Sequence, residues 1–406
     1  VERTVNLFNE AIESGNGKNN QILLGTPGLQ LFATVAQTPQ RGSISVLGRF
    51  FFVAGDTFYE LFAGGTTQAR GTVAVDAALV SMAVNGVTEI CIISAGQGYI
   101  FNMTSGVFTQ ITASGFLGSN FVVSVDGYFI CAHQFSNTFF ISGLNDGLAW
   151  DPLDFGKVEG AAGLIQSVIA NYREIWFICD THTEVYYDSG DPLFPFTRTA
   201  GGFVEKGSAA AYSWVQADNG IIGLTQDASG GPQVIRTNGY QPQRISNFAL
   251  EYAMANYAAV SDATAFSYQD SGHTFYMITF PTADKTWCYD LSNGQWHERA
   301  YLNNGALSRH RARTFAAAFG KNIVGDYANG NLYVMDLDVY TDNGAAIKRI
   351  RVAPHISNEL KRNFYSLFQL DAQVGVGLDV ASGQPGYDPQ VVLTVSRDGG
   401  RTFGPV

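Results

Sequence analysis

The chain has 406 residues, 15% charged and 46% hydrophobic, which excludes extended disorder and leaves room for two or three average domains or one repeat ring with an appendage. Aromatic residues make up 13% and glycine fills 45 positions; with Glu and Lys scarce, that balance points to an all-β chain with many turns. A formal net charge of -11 excludes a protein that grips free nucleic acid by charge.

The chain opens with Arg3-Thr4-Val5-Asn6-Leu7-Phe8-Asn9-Glu10, crosses a polar Gly/Asn run and reaches Ile22-Leu23-Leu24-Gly25-Thr26-Pro27-Gly28-Leu29. Thr-Pro-Gly-Leu has the chemistry of a tight turn, Pro presetting φ and Gly allowing a positive one. From about residue 40 a unit recurs: an apolar run, a Gly/Asp/Asn turn and an aromatic-rich partner run. The apolar runs centre near Phe51, Ile92, Phe129, Phe177, Ile222, Tyr276 and Ile323, spaced 37 to 54 residues apart. That period predicts the four-stranded blades of a β-propeller, six or seven of them over residues 20–353, behind an N-terminal arm at 1–19.

Asp290-Leu291-Ser292-Asn293-Gly294-Gln295-Trp296 is the sharpest unit, a strand end, a turn and a Trp that opens the return strand; Thr104-Ser105-Gly106-Val107-Phe108-Thr109 is a degenerate copy. Phe248–Met254 reads as a short helix capped by Asn247. Ala161–Ala170 is apolar enough for helix or strand, and Val168-Ile169-Ala170 favours strand. Beyond Pro354 come longer strand-like runs at 364–370 and 391–395, separated by a Gly/Pro loop; residues 354–406 therefore read as an incomplete C-terminal β-sandwich.

Sites of chemistry are sparse. Cys91, Cys131, Cys179 and Cys288 each sit in an apolar run without metal-ligand spacing, as buried free thiols in a reducing compartment would. His182 stands near Glu184 in a turn, and Asp56, Asp126, Asp180, Asp188 and Glu184 lie at strand ends and turns, where carboxylates bond local backbone. No nucleophile elbow, zinc-protease motif or phosphate loop occurs, and no cofactor or metal is implied. There is no apolar stretch long enough for a membrane helix and no signal peptide, so no membrane insertion is expected.

Ser396-Arg397-Asp398-Gly399-Gly400-Arg401-Thr402-Phe403 fits an Asp-box, with Ser396, Asp398, Gly400 and Phe403 forming a structural hairpin turn. The sialidases that also carry this box have an arginine triad and an R-I-P segment, and Arg349-Ile350-Arg351 is late and lacks Pro. On an acidic chain the basic clusters stand out: Arg309, Arg311 and Arg313, then Lys348, Arg349 and Arg351. Each is a solvated face or a candidate interface to an acidic partner or a neighbouring subunit.

The run Glu174–Tyr187, then Asp191-Pro192 through Arg198, then Phe203-Val204-Glu205-Lys206-Gly207, resembles the middle of the packaged-DNA stabilisation proteins of short-tailed phages, the tail hub or tail accessory factor family. Trp176, Thr183, Glu184, Val185, Pro195, Phe196, Glu205 and Gly207 carry the likeness; Val5-Asn6-Leu7 followed by Thr26–Leu29, and the late Asp-box, extend it. The resemblance implies a non-enzymatic virion protein of the tail, made in the host cytoplasm. It implies a homo-oligomeric ring, a hexamer, below the portal and its adaptor, which closes the DNA channel after packaging and carries the tail needle or tailspikes. Duplex DNA would pass its lumen without specific binding. It also implies that family members continue some tens of residues past the Asp-box. A carbohydrate-binding or carbohydrate-cleaving propeller is the alternative expectation.

Overall fold

In the computed structural model, the described residues are 3–12, 21–86, 88–226, 229–354 and parts of the stretch that follows. Each of the seven apolar runs becomes the second strand of an antiparallel sheet, and the sheets follow one another as blades at 40–72, 81–110, 119–157, 165–204, 215–244, 264–303 and 312–336. These second strands are buried on both faces; Phe50, Phe51, Phe52, Val53 and Ala54 in Arg49–Ala54 are all fully enclosed. A sheet with two apolar faces needs a neighbour on each side. The core accordingly divides into seven clusters, one in every gap between consecutive blades. Phe139 of blade 3 stacks on Phe177 of blade 4 at 4.4 Å, and Phe50 and Phe52 of blade 1 pack with Ile323 and Leu332 of blade 7. The last gap closes a ring, so among the described residues the propeller has seven blades.

Turn chemistry sets the register. The first hairpins of blades 1, 3, 6 and 7 turn on Leu47-Gly48, Asp126-Gly127, Ser271-Gly272 and Phe319-Gly320, all with positive φ, the geometry whose twist matches paired strands. At the Asp290–Trp296 turn the Asp290 carboxylate accepts from Ser292 N (2.9 Å), and Trp296 Nε1 reaches across to the Ile245 carbonyl of blade 5 (2.8 Å). Asn102 repeats the arrangement, accepting from Thr104 N and Ser105 N, as the degenerate copy predicts. The expected helix is Phe248–Ala255, and Asn247 caps it by accepting from Leu250 N. Ile165–Asn171 is a strand.

Blade 7 takes only three strands from the end of the ring. Its fourth is Gly28–Thr34, paired antiparallel with Asn331–Asp336, Leu29 opposite Met335. Arg3–Val5 lies parallel to the outer strand of blade 6, Val5 opposite Glu298, and Ile350–Val352 adds antiparallel to it. The stretch read as an arm is therefore stitched into blade 6, because Val5 is apolar and fully buried there. Among the described residues after 353 no strand forms. The Asp-box turn does: Asp398 accepts from Arg401 N and Thr402 N at 2.9 Å, Gly400 N donates to Ser396 Oγ, and Gly400 has φ +88°. The Thr402 hydroxyl, which donates to Asp398 at 2.6 Å, followed by the Thr402 amide, the Ser396 hydroxyl and the Arg401 amide, holds the Asp398 carboxyl well below its ordinary range, and Phe403 stays exposed.

Leu29→Ala, which removes a buried side chain from the closing strand, should cost about 2–5 kcal/mol, and Leu31→Ala on its exposed face within about 0.5 kcal/mol. Urea unfolding midpoints of the two variants check this; equal midpoints would mean that the closing strand adds no core.

Candidate interaction surface

Where the N-terminal and C-terminal segments meet over blades 6 and 7 they form a clasp, built around side chains that imitate backbone. Asn6, buried at φ +54°, accepts from Ala300 N (2.9 Å) and donates to Ala300 O (2.8 Å) and Lys348 O (2.9 Å). One amide thereby ties both chain segments to blade 6. Gly28 lies so close to Val339 and Thr341 that a Cβ would collide with their carbonyl oxygens. The Pro27 carbonyl accepts from buried Arg299 (3.1 Å), which also reaches Tyr268 and His310.

Ionisable groups under the clasp are displaced by burial. Burial, with the Arg299 guanidinium beside it, pushes His297 down to about 3, and His310 falls well below its ordinary value for the same reasons. Burial pushes the Asp342 carboxyl up to about 6, against the pull of Arg299, Arg349 and Arg311. At the hairpin Leu7–Ala11 with Gln21–Gly25, His273 bridges Glu10 and Asp290.

The basic clusters do not form one stripe. Arg311 is bound to Asp326 by Nε and Nη2 at 2.7 and 2.6 Å, with Tyr333 donating to the same carboxylate. Arg309 stacks on Tyr327, 3.8 Å from its centroid. Arg313 turns the other way and donates to Ala77 O (2.7 Å). On the clasp, Arg349 lies over Gly25, where a Cβ would meet its Nε at 2.7 Å, Arg351 donates to Thr4 Oγ1 (2.7 Å), and Lys348 is exposed.

Arg313 belongs to the mouth of the propeller's own axis, at the start of the inner strands. There Arg41 pairs with Asp76, and the Tyr212 ring lies tilted against Phe121 of blade 3 (4.9 Å). Burial pushes the Tyr212 hydroxyl up to about 12, with Asp76 raising it and Arg41 and Arg313 lowering it. Groups carried by blades 1, 3 and 7 and by the loop entering blade 5 thus face one another at the mouth.

Among the described residues, the carboxylates expected at strand ends and turns are not brought together in pairs for acid–base work. Asp126 binds Arg173, Asp180 and Asp188 accept from Leu164 N and Gly190 N, and Asp56 bonds Thr57. Glu184 is buried beneath the 158–164 loop, accepting from Gly160 N (2.6 Å) and bonded to His182 (3.2 Å). A cleft of about 270 Å³ between the hairpin and blade 6 has Asp290 as its one carboxylate, and glycoside hydrolysis needs two. Among the described residues no group of His, Cys, Asp and Glu could hold a metal. The four cysteines are free and buried, and among the described residues no helix is long and apolar enough to cross a membrane.

The motif residues are architectural: Trp176, Thr183, Glu184 and Val185 are buried, and a Cβ on Gly207 would collide with the Asp180 backbone. A seven-bladed ring fastened by both chain segments defines a β-propeller closed by its own ends. By sequence, residues 2–340 match the phage stabilisation family described as bacteriophage P22 Gp10, beta-propeller, and the chain belongs to that family of phage tail proteins. No curated protein matches it. Among solved structures it is similar to virginiamycin B lyase from Staphylococcus aureus, at 11% identity and TM-score 0.51 over 76% of this chain and 98% of that one. It is also similar to the extracellular domain of BT4673 from B. thetaiotaomicron, at 9% identity and TM-score 0.47 over 75% and 40%. At such identities the likeness is one of fold.

Two outcomes follow from the buried charges. Arg311→Met should cost about 3–5 kcal/mol by stranding Asp326 in the core, against less than about 1 kcal/mol for Arg309→Ala, read by chemical denaturation. For His297, the depressed folded value means that the unfolded chain takes up the proton first. Its stabilisation is full above about pH 6.5 and is lost towards pH 3, at about 1.4 kcal/mol per pH unit. Asp342 opposes it between about pH 4 and 6, since its raised value favours the folded state at lower pH. The difference in midpoint between wild type and His297→Gln isolates the histidine; a pH-independent difference contradicts its burial in the neutral form.

Proposed function

We propose that this chain is a non-enzymatic hub of a phage tail machine, a homo-oligomeric ring below the portal adaptor that closes the DNA exit after packaging and carries the needle or tailspikes. Membership of the phage stabilisation family over residues 2–340 carries the proposal. The -11 charge suits a wall along which DNA slides, because adhesion needs cations to displace condensed counterions. Retention is then mechanical. Residues 354–406 are proposed as part of a β-sandwich, to whose core Phe364, Leu367 and Val391, exposed here, would contribute. Of the basic clusters, Arg309 and the clasp cations are the proposed contacts to partners, whereas Arg311 is committed to Asp326.

Particles lacking the protein should package DNA and then lose it, and the purified chain should bind duplex weakly or not at all at physiological salt. Tight binding with a steep loss of affinity as salt rises would return the basic clusters as a DNA site and remove the sliding-wall argument.

A further inference from the structure

We propose that the outer edge of blades 3 and 4 binds the clasp face of blades 6 and 7 on a second copy, so that the propellers join head to tail. The inference rests on the ring proposed above and names its two contact faces.

The first face repeats one small device. Asp151 accepts from Leu153 N (2.9 Å) and Asp191 from Leu193 N (2.8 Å), so each turn fixes a carboxylate and presents a leucine two residues on. Those leucines are 80% and 88% exposed. The two turns lie on adjoining blades, and the second is packed on the first blade: Phe194, next to Leu193, meets Phe139 of blade 3 at 5.9 Å, and Tyr128 of blade 3 meets Phe196 edge-on at 5.7 Å. Large, bare leucines beside fixed carboxylates form an apolar patch with an acidic rim, the anatomy of a contact surface.

The clasp face has the opposite sign. Lys348, Arg349 and Arg351 are exposed within four residues, against one exposed carboxylate, Asp338, on the same connection. Ile22, Leu23 and Leu24 stand exposed on the hairpin strand, and Arg349 over Gly25 joins the cations to them. Copies with a charge of -11 repel one another, so association requires a local cationic patch to meet an acidic one. The clasp supplies it.

Geometry makes the pairing intermolecular. Blades 3 and 4 both lie three steps round the ring from blade 7, so the faces point to opposite sides and cannot meet within one chain. Two unlike faces on opposite sides give a heterologous contact, which closes into a ring when the rotation per copy permits.

The test uses two variants of the full chain, Asp151→Lys/Leu193→Gln at the edge and Lys348→Glu/Leu23→Gln at the clasp, with circular dichroism and unfolding midpoint as folding controls and Lys348→Glu alone as the milder clasp variant. In analytical ultracentrifugation, under conditions where wild type assembles, each variant should stay monomeric. An equimolar mixture should form a 1:1 dimer and nothing larger, because one intact edge and one intact clasp remain. Variants that still assemble, or a mixture that stays monomeric, overturn the two faces while leaving the hub proposal standing. A wild-type chain that stays monomeric even with portal adaptor present overturns both.

Discussion

Each blade has two apolar faces, and that constraint governs the molecule. An open row of such sheets would leave the first and last faces wet, at a cost proportional to the apolar area exposed. Closing the row covers both at once. The core is consequently seven separate layers between blades, and the ring holds only if the joint between blades 7 and 1 holds. The clasp is the answer to that requirement: a strand from the chain's beginning completes blade 7, a second reinforces blade 6, and the chain after blade 7 returns to cover both edges. Covered edges also remove templates for unwanted strand pairing.

Much of this was legible in the sequence because it is local. All seven apolar runs became second strands, since a strand buried on both faces must be continuously apolar, and the Asn247 cap and the Asp290 turn act through bonds spanning a few residues. The closing strand was not legible. Gly28–Thr34 finds its partner at Asn331–Asp336, and a pairing of that span leaves no local pattern beyond a turn motif whose purpose is the collision-free approach of Gly28 to the returning chain. The surroundings of the basic residues were not legible either. Arg309, Arg311 and Arg313 alternate as if on one strand, but the chain changes strand at His310-Arg311, so the three guanidiniums go to a tyrosine face, a buried aspartate and the axial mouth.

The residues that identify the family are mostly those that build the ring. Asn6, Gly28, Glu184 and Gly207 serve backbone, turns or buried hydrogen bonds, whereas the exposed leucines and the clasp cations occupy positions the fold does not dictate. Architecture and recognition are thus written in different residues, which is what a scaffold able to change partners without refolding requires.

The clasp also imposes an order in time. Gly28–Thr34 leaves the ribosome roughly 300 residues before its partner, a wait of about 15–60 s at ordinary translation rates. Throughout that interval a strand with Leu29 apolar on one face and Ala33 on the other is on offer, and so is one face of blade 1. Nascent chains close together on one message could exchange that strand, and a ring completed by a neighbour's segment would be a domain-swapped dimer held by the same hydrogen bonds as the monomer. Dilution of nascent chains, or a chaperone resting on Gly28–Thr34, therefore decides between a closed propeller and an interlocked pair.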